Sequence, residues 1–276
     1  MRLTYLGTSA AEGTPAPFCD CEVCEYAREN GGRNVRTRSQ ALLDGRLLID
    51  FPGDTYMHVL SEGLRLSKID GCILTHPHHD HFFPEDLFSR TRVAAHMKEE
   101  KPFHFFAEPN TVAAMAELES PKECIAQGGL VLHEVHPFES FVFSGFTITP
   151  LNAFHCKNAL IYLIEKDGKT MLYANDTGYF PEDTWEFLKA RGVKLDLVSY
   201  DCTYGTWHRG RVGHMDYYEN IETRDRLKSE GLLNEGCLHL LTHFSHNNGN
   251  HSYDSFAPIA EANGFIVAYD GLDIDF

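Results

Sequence analysis

The stretch His76-Pro77-His78-His79-Asp80-His81 decides how this chain is interpreted, because its H-x-H-x-D-H pattern places four metal-binding side chains within six residues. It follows an apolar run, residues 69–75, which predicts a buried strand. Imidazole suits zinc and other transition metals, and carboxylate suits zinc or manganese. On a tight loop, His76 and His78 can point one way while Asp80 and His81 point another. The pattern therefore predicts a site for two metal ions about 3.5–4 Å apart.

Composition limits the function classes. The chain has 276 residues, a hydrophobic content of 43% and a net charge of −16. We expect one domain spanning residues 1–276, and the charge disfavours binding to nucleic acid or to an anionic membrane. A small phosphorylated substrate is compatible with this charge, because bound metal ions dominate the local field of a site. Neither a signal peptide nor an apolar run long enough to span a bilayer is visible, so we expect a cytoplasmic protein.

Short apolar runs alternate with helix-like stretches along the whole chain. The predicted strands cover residues 3–6, 41–43, 47–49, 71–74, 103–106, 130–135, 146–151, 160–164, 170–173, 195–200, 238–241 and 265–268. The predicted helices cover residues 22–29, 55–62, 84–92, 111–118, 182–190, 215–229 and 253–262. This order favours an α/β fold with two sheets sandwiched between helices. The polar, glycine-containing residues 204–213 are predicted to form a surface loop near the site.

Three further metal-binding residues follow predicted strands. They are His155, Asp176 and His243, and strand ends are where ligands from distant parts of a sequence can converge. Asp176 can bridge two metals, because a carboxylate has one oxygen for each. Each residue alone is weak evidence, since a single His or Asp at a strand end is more often a turn or cap residue.

Together these residues resemble the motif set of the metallo-β-lactamase superfamily, whose hydrolases carry H-x-H-x-D-H followed by a distant His, Asp and His. The resemblance implies an αββα sandwich with the site at one edge of the two sheets. It also implies two groups of ligands. His76, His78 and His155 would hold one metal, Asp80, His81 and His243 would hold the other, and Asp176 would bridge them.

A second cluster, Cys19, Cys21 and Cys24, packs three thiols into a C-x-C-x₂-C pattern. In a reduced compartment this spacing favours a closed tetrahedral zinc site over disulfides. Such a site needs a fourth ligand, and His246, three residues after His243, is the best candidate. We expect one structural zinc here, tying the N-terminal loop to the loop that carries an active-site ligand.

The order of these motifs narrows the resemblance. The cysteine cluster, H-x-H-x-D-H, N-D-T-G, Asp201-Cys202, T-H-x-S-H and Asp270-Gly271 are similar in order to the phosphoribosyl cyclic phosphate phosphodiesterases of the bacterial carbon–phosphorus lyase pathway. That family has a structural Cys₃His zinc and a His near the substrate phosphate in the loop after the D-C strand. His214 matches that position and His208 is its rival. Residues 203–212 and 82–92 depart from the family, so the exact substrate does not transfer.

We therefore expect a metal-dependent phosphodiesterase that cleaves a small cyclic or diester phosphate with a metal-bridging hydroxide. Two divalent ions, zinc or manganese, would occupy the active site. Asp80 would be essential as a ligand, and His214 would protonate the leaving alkoxide or stabilise the phosphate. Positive charge near the substrate could come from Arg90, Arg92, Arg209 or Arg211. A homodimer is open, because the sequence does not determine the oligomeric state.

Three alternatives remain open at this stage. Lactone or thioester hydrolysis can run on the same scaffold, because fold does not fix chemistry. A tRNA 3′-processing nuclease is disfavoured by the net charge of −16 and by the absence of an evident basic arm. A non-enzymatic carrier related to pyrroloquinoline quinone biosynthesis proteins would share the cysteine cluster, but it would not need two fully liganded metals.

Overall fold

The computed structural model describes residues 1–276, and its first half forms one sheet with helices on its outer face. The elements of this half, in chain order, are β1 (Arg2–Gly7), α1 (Glu22–Asn30), β2 (Gln40–Leu43), β3 (Leu47–Ile49), α2 (Thr55–Ser61), β4 (Gly71–Ile73), β5 (Phe103–Ala107), α3 (Pro109–Glu117), α4 (Glu119–Ala126) and β6 (Leu130–Glu134). A 3₁₀ helix, Pro84–Arg90, lies between β4 and β5.

The second half forms the other sheet and supplies one strand to the first. Its elements are β7 (Phe141–Phe143), β8 (Phe146–Asn152), β9 (Leu160–Lys166), β10 (Lys169–Ala174), α5 (Glu182–Arg191), β11 (Leu195–Asp201), α6 (Tyr217–Ser229), β12 (Leu233–Thr242), α7 (Tyr253–Glu261), β13 (Ile266–Val267) and β14 (Leu272–Asp275). None of the helices combines the length and the apolar character that crossing a membrane would require.

Each sheet has seven strands, in the orders β14-β1-β2-β3-β4-β5-β6 and β13-β12-β11-β10-β9-β8-β7. The strands β3 to β6 run parallel to one another, as do β10 to β13, while the remaining neighbours pair antiparallel. The carboxyl ends of the parallel strands therefore meet at one edge of the sandwich. This architecture confirms the predicted αββα fold.

The core follows the two-residue period of the strands. In β9, Tyr162 and Ile164 point into the layer between the two sheets, whereas Ile161 and Leu163 pack against the outer helices. The outer layer on that side includes Trp185 of α5, which is fully buried. A third apolar cluster packs the first sheet against α2, α3 and α4. Because both faces of each sheet are covered, the central strands are almost continuously apolar, as expected for buried sheets.

Several elements differ from the sequence prediction. The segment predicted as a helix over 84–92 is a 3₁₀ helix, in which the two buried residues, Pro84 and Leu87, lie one three-residue turn apart. The helix α4 is absent from the sequence prediction, and it contains Pro121. Pro121 lies in the first turn, where its missing N–H costs no hydrogen bond. The short edge strands β7 and β14 were also not predicted.

Candidate metal centre and cleft

The predicted metal-binding residues lie on the loops that follow β4, β8, β10 and β12, at one edge of the sandwich. The structure brings all seven together, and all except His78 are buried or nearly so. Asp176 and His243 have left-handed backbones, with φ of 51° and 61°. Non-glycine residues adopt this conformation at a cost, and such residues are concentrated at functional sites.

His76, His78 and His155 form the first group of donors. His78 Nδ1 lies 2.9 Å from His76 Nε2 and 3.1 Å from His155 Nε2. Asp176 Oδ2 lies 3.5 Å from His76 Nε2 and 3.8 Å from His155 Nε2. Three nitrogens and one carboxylate oxygen thus converge on a common point.

Asp80, His81 and His243 form the second group. His81 Nε2 lies 3.3 Å from Asp80 Oδ2 and 3.2 Å from His243 Nε2. The carboxylate of Asp176 again completes the set, with Oδ2 at 3.2 Å from His81 Nε2 and Oδ1 at 2.8 Å from His243 Nε2. Asp176 is therefore the residue that both groups share.

The outward-facing nitrogens of His81, His155 and His243 have protein partners. The Nδ1 atom of His81 lies 2.7 Å from Asp50 Oδ2, and that of His155 lies 2.9 Å from Gly213 O. The Nδ1 atom of His243 lies 2.8 Å from the hydroxyl of Thr203. With protons on Nδ1, the Nε2 lone pairs of these rings face the two donor groups, which is how proteins orient metal-binding histidines.

The donor set fits two divalent cations. Ligands of a tetrahedral zinc with metal–nitrogen distances of about 2.0–2.1 Å lie roughly 3.4 Å apart, and the donor–donor distances above are close to this value. In addition, Asp176 Oδ1 is buried and has no hydrogen bond of good geometry, although His243 Nε2 lies 2.8 Å away. With the histidine protons on Nδ1, the nitrogen lone pairs around this oxygen leave its charge uncompensated, which a bound cation would correct.

His214 lies beside both groups. Its ring is 4.6 Å from that of His155 and stacks on that of His243 at 5.5 Å. His214 Nδ1 lies 2.7 Å from Oδ2 of the fully buried Asp201, so the Nε2 edge of the ring is the free one. Burial lowers the pKa of His214, but the charge of Asp201, the hydrogen bond to Asp201 and the charge of Asp176 together outweigh it, and the net pKa lies above the ordinary value. Asp201 also accepts hydrogen bonds from Thr203, which fixes its carboxylate.

An open cleft of about 730 Å³ leads to the donors. The loop predicted over residues 204–213 forms part of its wall, with Tyr204, Trp207 and Arg209. The N-terminal segment contributes Glu12 on another side. The loop approaches closely because Gly178 lacks a side chain, since a Cβ there would lie 2.0 Å from the carbonyl oxygen of Val212.

The other residues considered from sequence lie elsewhere. His208 is exposed and bonds Asp216 at 2.5 Å, away from the donors. Arg211 pairs with Glu222, and Arg90 donates to backbone carbonyls. Arg92 is exposed and faces Glu100. Of the four arginines, Arg209 is the one that lines the cleft.

Cys19, Cys21, Cys24 and His246 also come together, with their donor atoms within 4.8 Å of one another. His246 Nδ1 lies 3.5 Å from Cys19 Sγ and 3.4 Å from Cys21 Sγ, close to the spacing in a tetrahedral zinc site. Burial opposes ionisation of Cys21, but the Cys24 backbone N–H and His246 outweigh it and lower the pKa of the Cys21 thiol to about 7. The four residues fit a closed zinc site, and all eight cysteines are free of disulfides.

Sequence reasoning assigned no role to Asp50, Asp201, Glu12 or Trp207. Asp50 ends the apolar run of β3 in the same way that Asp176 follows β10, so the rule that selected Asp176 could have found it. Cys156 was considered but given no role, and its Sγ lies near the first donor group.

Comparison with known proteins identifies one matching family and one shared fold. Residues 46–243 match the family profile for the beta-lactamase superfamily domain. Zn²⁺-bound PqqB from Methylobacterium extorquens superposes with a TM-score of 0.74 at 22% identity, covering 100% of both chains. A diphosphatase from the PhnP family gives a TM-score of 0.74 at 23% identity, covering 100% of this chain and 97% of the other.

The short form of human tRNase Z gives a TM-score of 0.62 at 18% identity, covering 100% of this chain and 99% of the other. No curated protein sequence matches the chain. At these identities the structural matches show the shared fold alone.

Proposed function

This chain belongs to the beta-lactamase superfamily and has its hydrolase fold, and we propose that it is a metal-dependent phosphodiesterase acting on a small cyclic or diester phosphate. One observation carries the proposal. Two groups of metal donors share the buried carboxylate of Asp176, and the Asp201-held imidazole of His214 lies directly beside them. A dinuclear site next to a positioned acid is suited to displacement at phosphorus.

Seven residues would hold two divalent ions, zinc or manganese, one in each donor group with Asp176 between them. When bound, these ions supply an acidified water nucleophile and Lewis-acid stabilisation of the phosphoryl oxygens. The histidines stay aligned because Asp50, Thr203 and the Gly213 carbonyl hold their other nitrogens. Cys19, Cys21, Cys24 and His246 would hold a third, structural zinc outside the cleft.

His214 would deliver a proton to the departing alkoxide. Asp201 holds Nδ1, so the proton for transfer resides on Nε2, the nitrogen free to face the cleft. The Asp201 charge stabilises the protonated imidazole, which is the form that a general acid needs at the start of the step. Thr203 bonds both Asp201 and His243, and so couples the position of the acid to that of the donor groups.

The phosphate class is supported by charge. The chain is strongly acidic, with 24 Lys+Arg against 40 Asp+Glu, yet the exposed Arg209 lines the cleft that leads to the donors. A cationic side chain and two divalent ions would favour an anionic diester over a neutral lactone or thioester. The acidic surface opposes a tRNA substrate, because nucleic-acid binding depends on basic patches.

The test is hydrolysis of bis(p-nitrophenyl) phosphate with metal content measured on the same sample. We expect about three metals per chain, loss of activity on chelation, and recovery with Zn²⁺ or Mn²⁺. His214→Ala should lower kcat by about 10²–10⁴ with metal content unchanged, whereas the exposed His96→Ala should behave like the wild type.

Two results would overturn the proposal. If the fully metal-loaded protein cleaves no phosphodiester, the proposed reaction would be replaced by lactone or thioester hydrolysis. A single retained zinc and no activity would favour a non-enzymatic carrier. Wild-type kcat in His214→Ala would remove His214 from the reaction while leaving the metal centre in place.

A further inference from the structure

The loop that lines the cleft carries two aromatic residues that the metal chemistry does not use. Trp207 is 47% exposed although it lies against the cleft, and its ring is 6.2 Å from that of Tyr204 at 76°. The Tyr204 ring in turn lies 5.8 Å from His214. Tyr204 therefore contacts both His214, the proposed acid, and the exposed indole of Trp207.

Arg209 lies over both rings, with its guanidinium carbon 4.7 Å from the Trp207 centroid and 5.1 Å from that of Tyr204. No carboxylate lies within salt-bridge distance of Arg209. In contrast, Arg211, two residues later in the chain, pairs with Glu222. A planar guanidinium over an indole gives a surface on which another flat ring can stack.

The loop holds this surface in place. Trp207 N donates to Tyr204 O at 2.8 Å, and Thr206 N donates to Asn248 O at 3.1 Å. Gly205, with φ of 49°, allows the close contact with Asn248, where a Cβ would lie 2.5 Å from the carbonyl oxygen. Because the backbone is fixed before a ligand binds, stacking on Trp207 would cost little ordering of the chain.

From this geometry we infer that Trp207, Tyr204 and Arg209 form a subsite for a flat ring, and that the substrate is a phosphodiester with a nucleobase or aryl group on one arm. The inference rests on the proposed phosphodiesterase function. The scissile phosphate would lie at the donor groups beside His214, and the ring would stack on the outer face of the Trp207–Arg209 pair. The cleft volume of about 730 Å³ is within the range of pockets for ligands of this size.

The test compares substrates with the same scissile bonds. Cytidine 2′,3′-cyclic phosphate and ribose 2,3-cyclic phosphate differ in the base alone, and their hydrolysis is followed by ³¹P NMR. Bis(p-nitrophenyl) phosphate against methyl p-nitrophenyl phosphate tests an aryl arm. In at least one pair, we expect the holoenzyme to have a lower KM for the member that carries a ring on its non-leaving arm. The pair that shows this preference tells whether the subsite takes a base or an aryl ring.

Trp207→Ala should raise KM for the preferred substrate roughly 5- to 150-fold, with little change for the partner that lacks the ring on its non-leaving arm. Trp207→Phe should retain most of the preference. Arg209→Gln should raise KM roughly 2- to 5-fold, whereas the matched Arg211→Gln should have no effect. An exposed aromatic on α2, Tyr56, provides the control variant Tyr56→Ala.

Equal KM values for both members of each pair, or equal losses for both in Trp207→Ala, would overturn the subsite and leave the phosphodiesterase intact. If no phosphodiester is cleaved, fluorescence decides the subsite separately. Trp185 is fully buried, so quenching of tryptophan fluorescence by a bound ligand reports on Trp207. A ring site is supported if adenosine monophosphate quenches the wild type, while ribose 5-phosphate does not and the Trp207→Phe variant is not quenched. No such quenching would overturn it.

Discussion

Replacing Asp50 by Asn should weaken metal binding at the second donor group without unfolding the protein. Asp50 is fully buried and accepts hydrogen bonds from Thr75 N at 2.8 Å and from the Thr75 hydroxyl at 2.9 Å. Its Oδ2 lies 2.7 Å from His81 Nδ1. Asn has the same shape and tolerates the left-handed backbone at this position, where φ is 68°.

The effect arises from the tautomer of His81. The Asn oxygen can still accept from Thr75, but its NH₂ group then faces His81 Nδ1 and donates to it. The ring proton moves to Nε2, the atom that faces Asp80, His243 and Asp176. An Nε2–H cannot bind a metal, so binding requires the other tautomer and the loss of a charge-assisted hydrogen bond. That bond is worth about 1.5–3 kcal/mol, which corresponds to about 10- to 150-fold in metal affinity.

The assay is a competition titration of Zn²⁺ against a chromophoric chelator, with the melting temperature recorded in parallel. Asp70, at the opposite end of β4 and paired with Lys101, provides the control Asp70→Asn. We expect this control to bind zinc like the wild type. Affinity of Asp50→Asn within threefold of the wild type would refute the tautomer argument.

Two further predictions concern stability. Cys21→Ser should remove one zinc per chain and lower the free energy of unfolding by at least about 2 kcal/mol. Metal analysis and urea titration measure these two quantities, and unchanged values for both would contradict a structural zinc. Burial lowers the pKa of His58 to about 4, whereas the unfolded value is about 6.5, so the unfolded state binds more protons between these pH values. His58 should therefore lower the free energy of unfolding by about 3 kcal/mol as the pH falls from 6.5 to 4. The variant His58→Gln should flatten the slope of unfolding free energy against pH, whereas the exposed His96→Gln should not.

The strands of the buried sheets were predictable because their signal is local. In β9, apolar residues on both faces identify a strand covered on two sides, and the predicted range 160–164 lies within Leu160–Lys166. The edge strands were missed for the opposite reason. β14 is short and alternates Leu and Ile with Asp, and its pairing with β1, more than 260 residues away, is invisible to local pattern.

The site divides in the same way. His76, His78, Asp80 and His81 share one loop, so their spacing alone indicated a metal centre. The residues that hydrogen-bond the other nitrogens of the site histidines lie outside this loop. Asp50 reaches His81 from the neighbouring strand β3, and Asp201 reaches His214 across the loop that follows β11, so their roles depend on tertiary contacts within each sheet that local spacing does not reveal. The ring surface of Trp207 likewise depends on a loop conformation that Gly205 and Asn248 define.

The position of His243 links the two proposed metal sites, and the contacts around it indicate how strongly they are coupled. The next residue, Phe244, pairs with the N-terminal segment through Phe244 N to Thr8 O at 2.9 Å and Ala10 N to Phe244 O at 3.0 Å. Buried Arg36 lies 4.4 Å over the Phe244 ring. These contacts hold His243 in its left-handed conformation independently of the cysteines. Loss of the structural zinc should therefore lower stability more than catalysis. With the active-site metals supplied, kcat of Cys21→Ser should fall by less than about tenfold, because the zinc is not in contact with His243 and the pairing of Phe244 with the N-terminal segment remains.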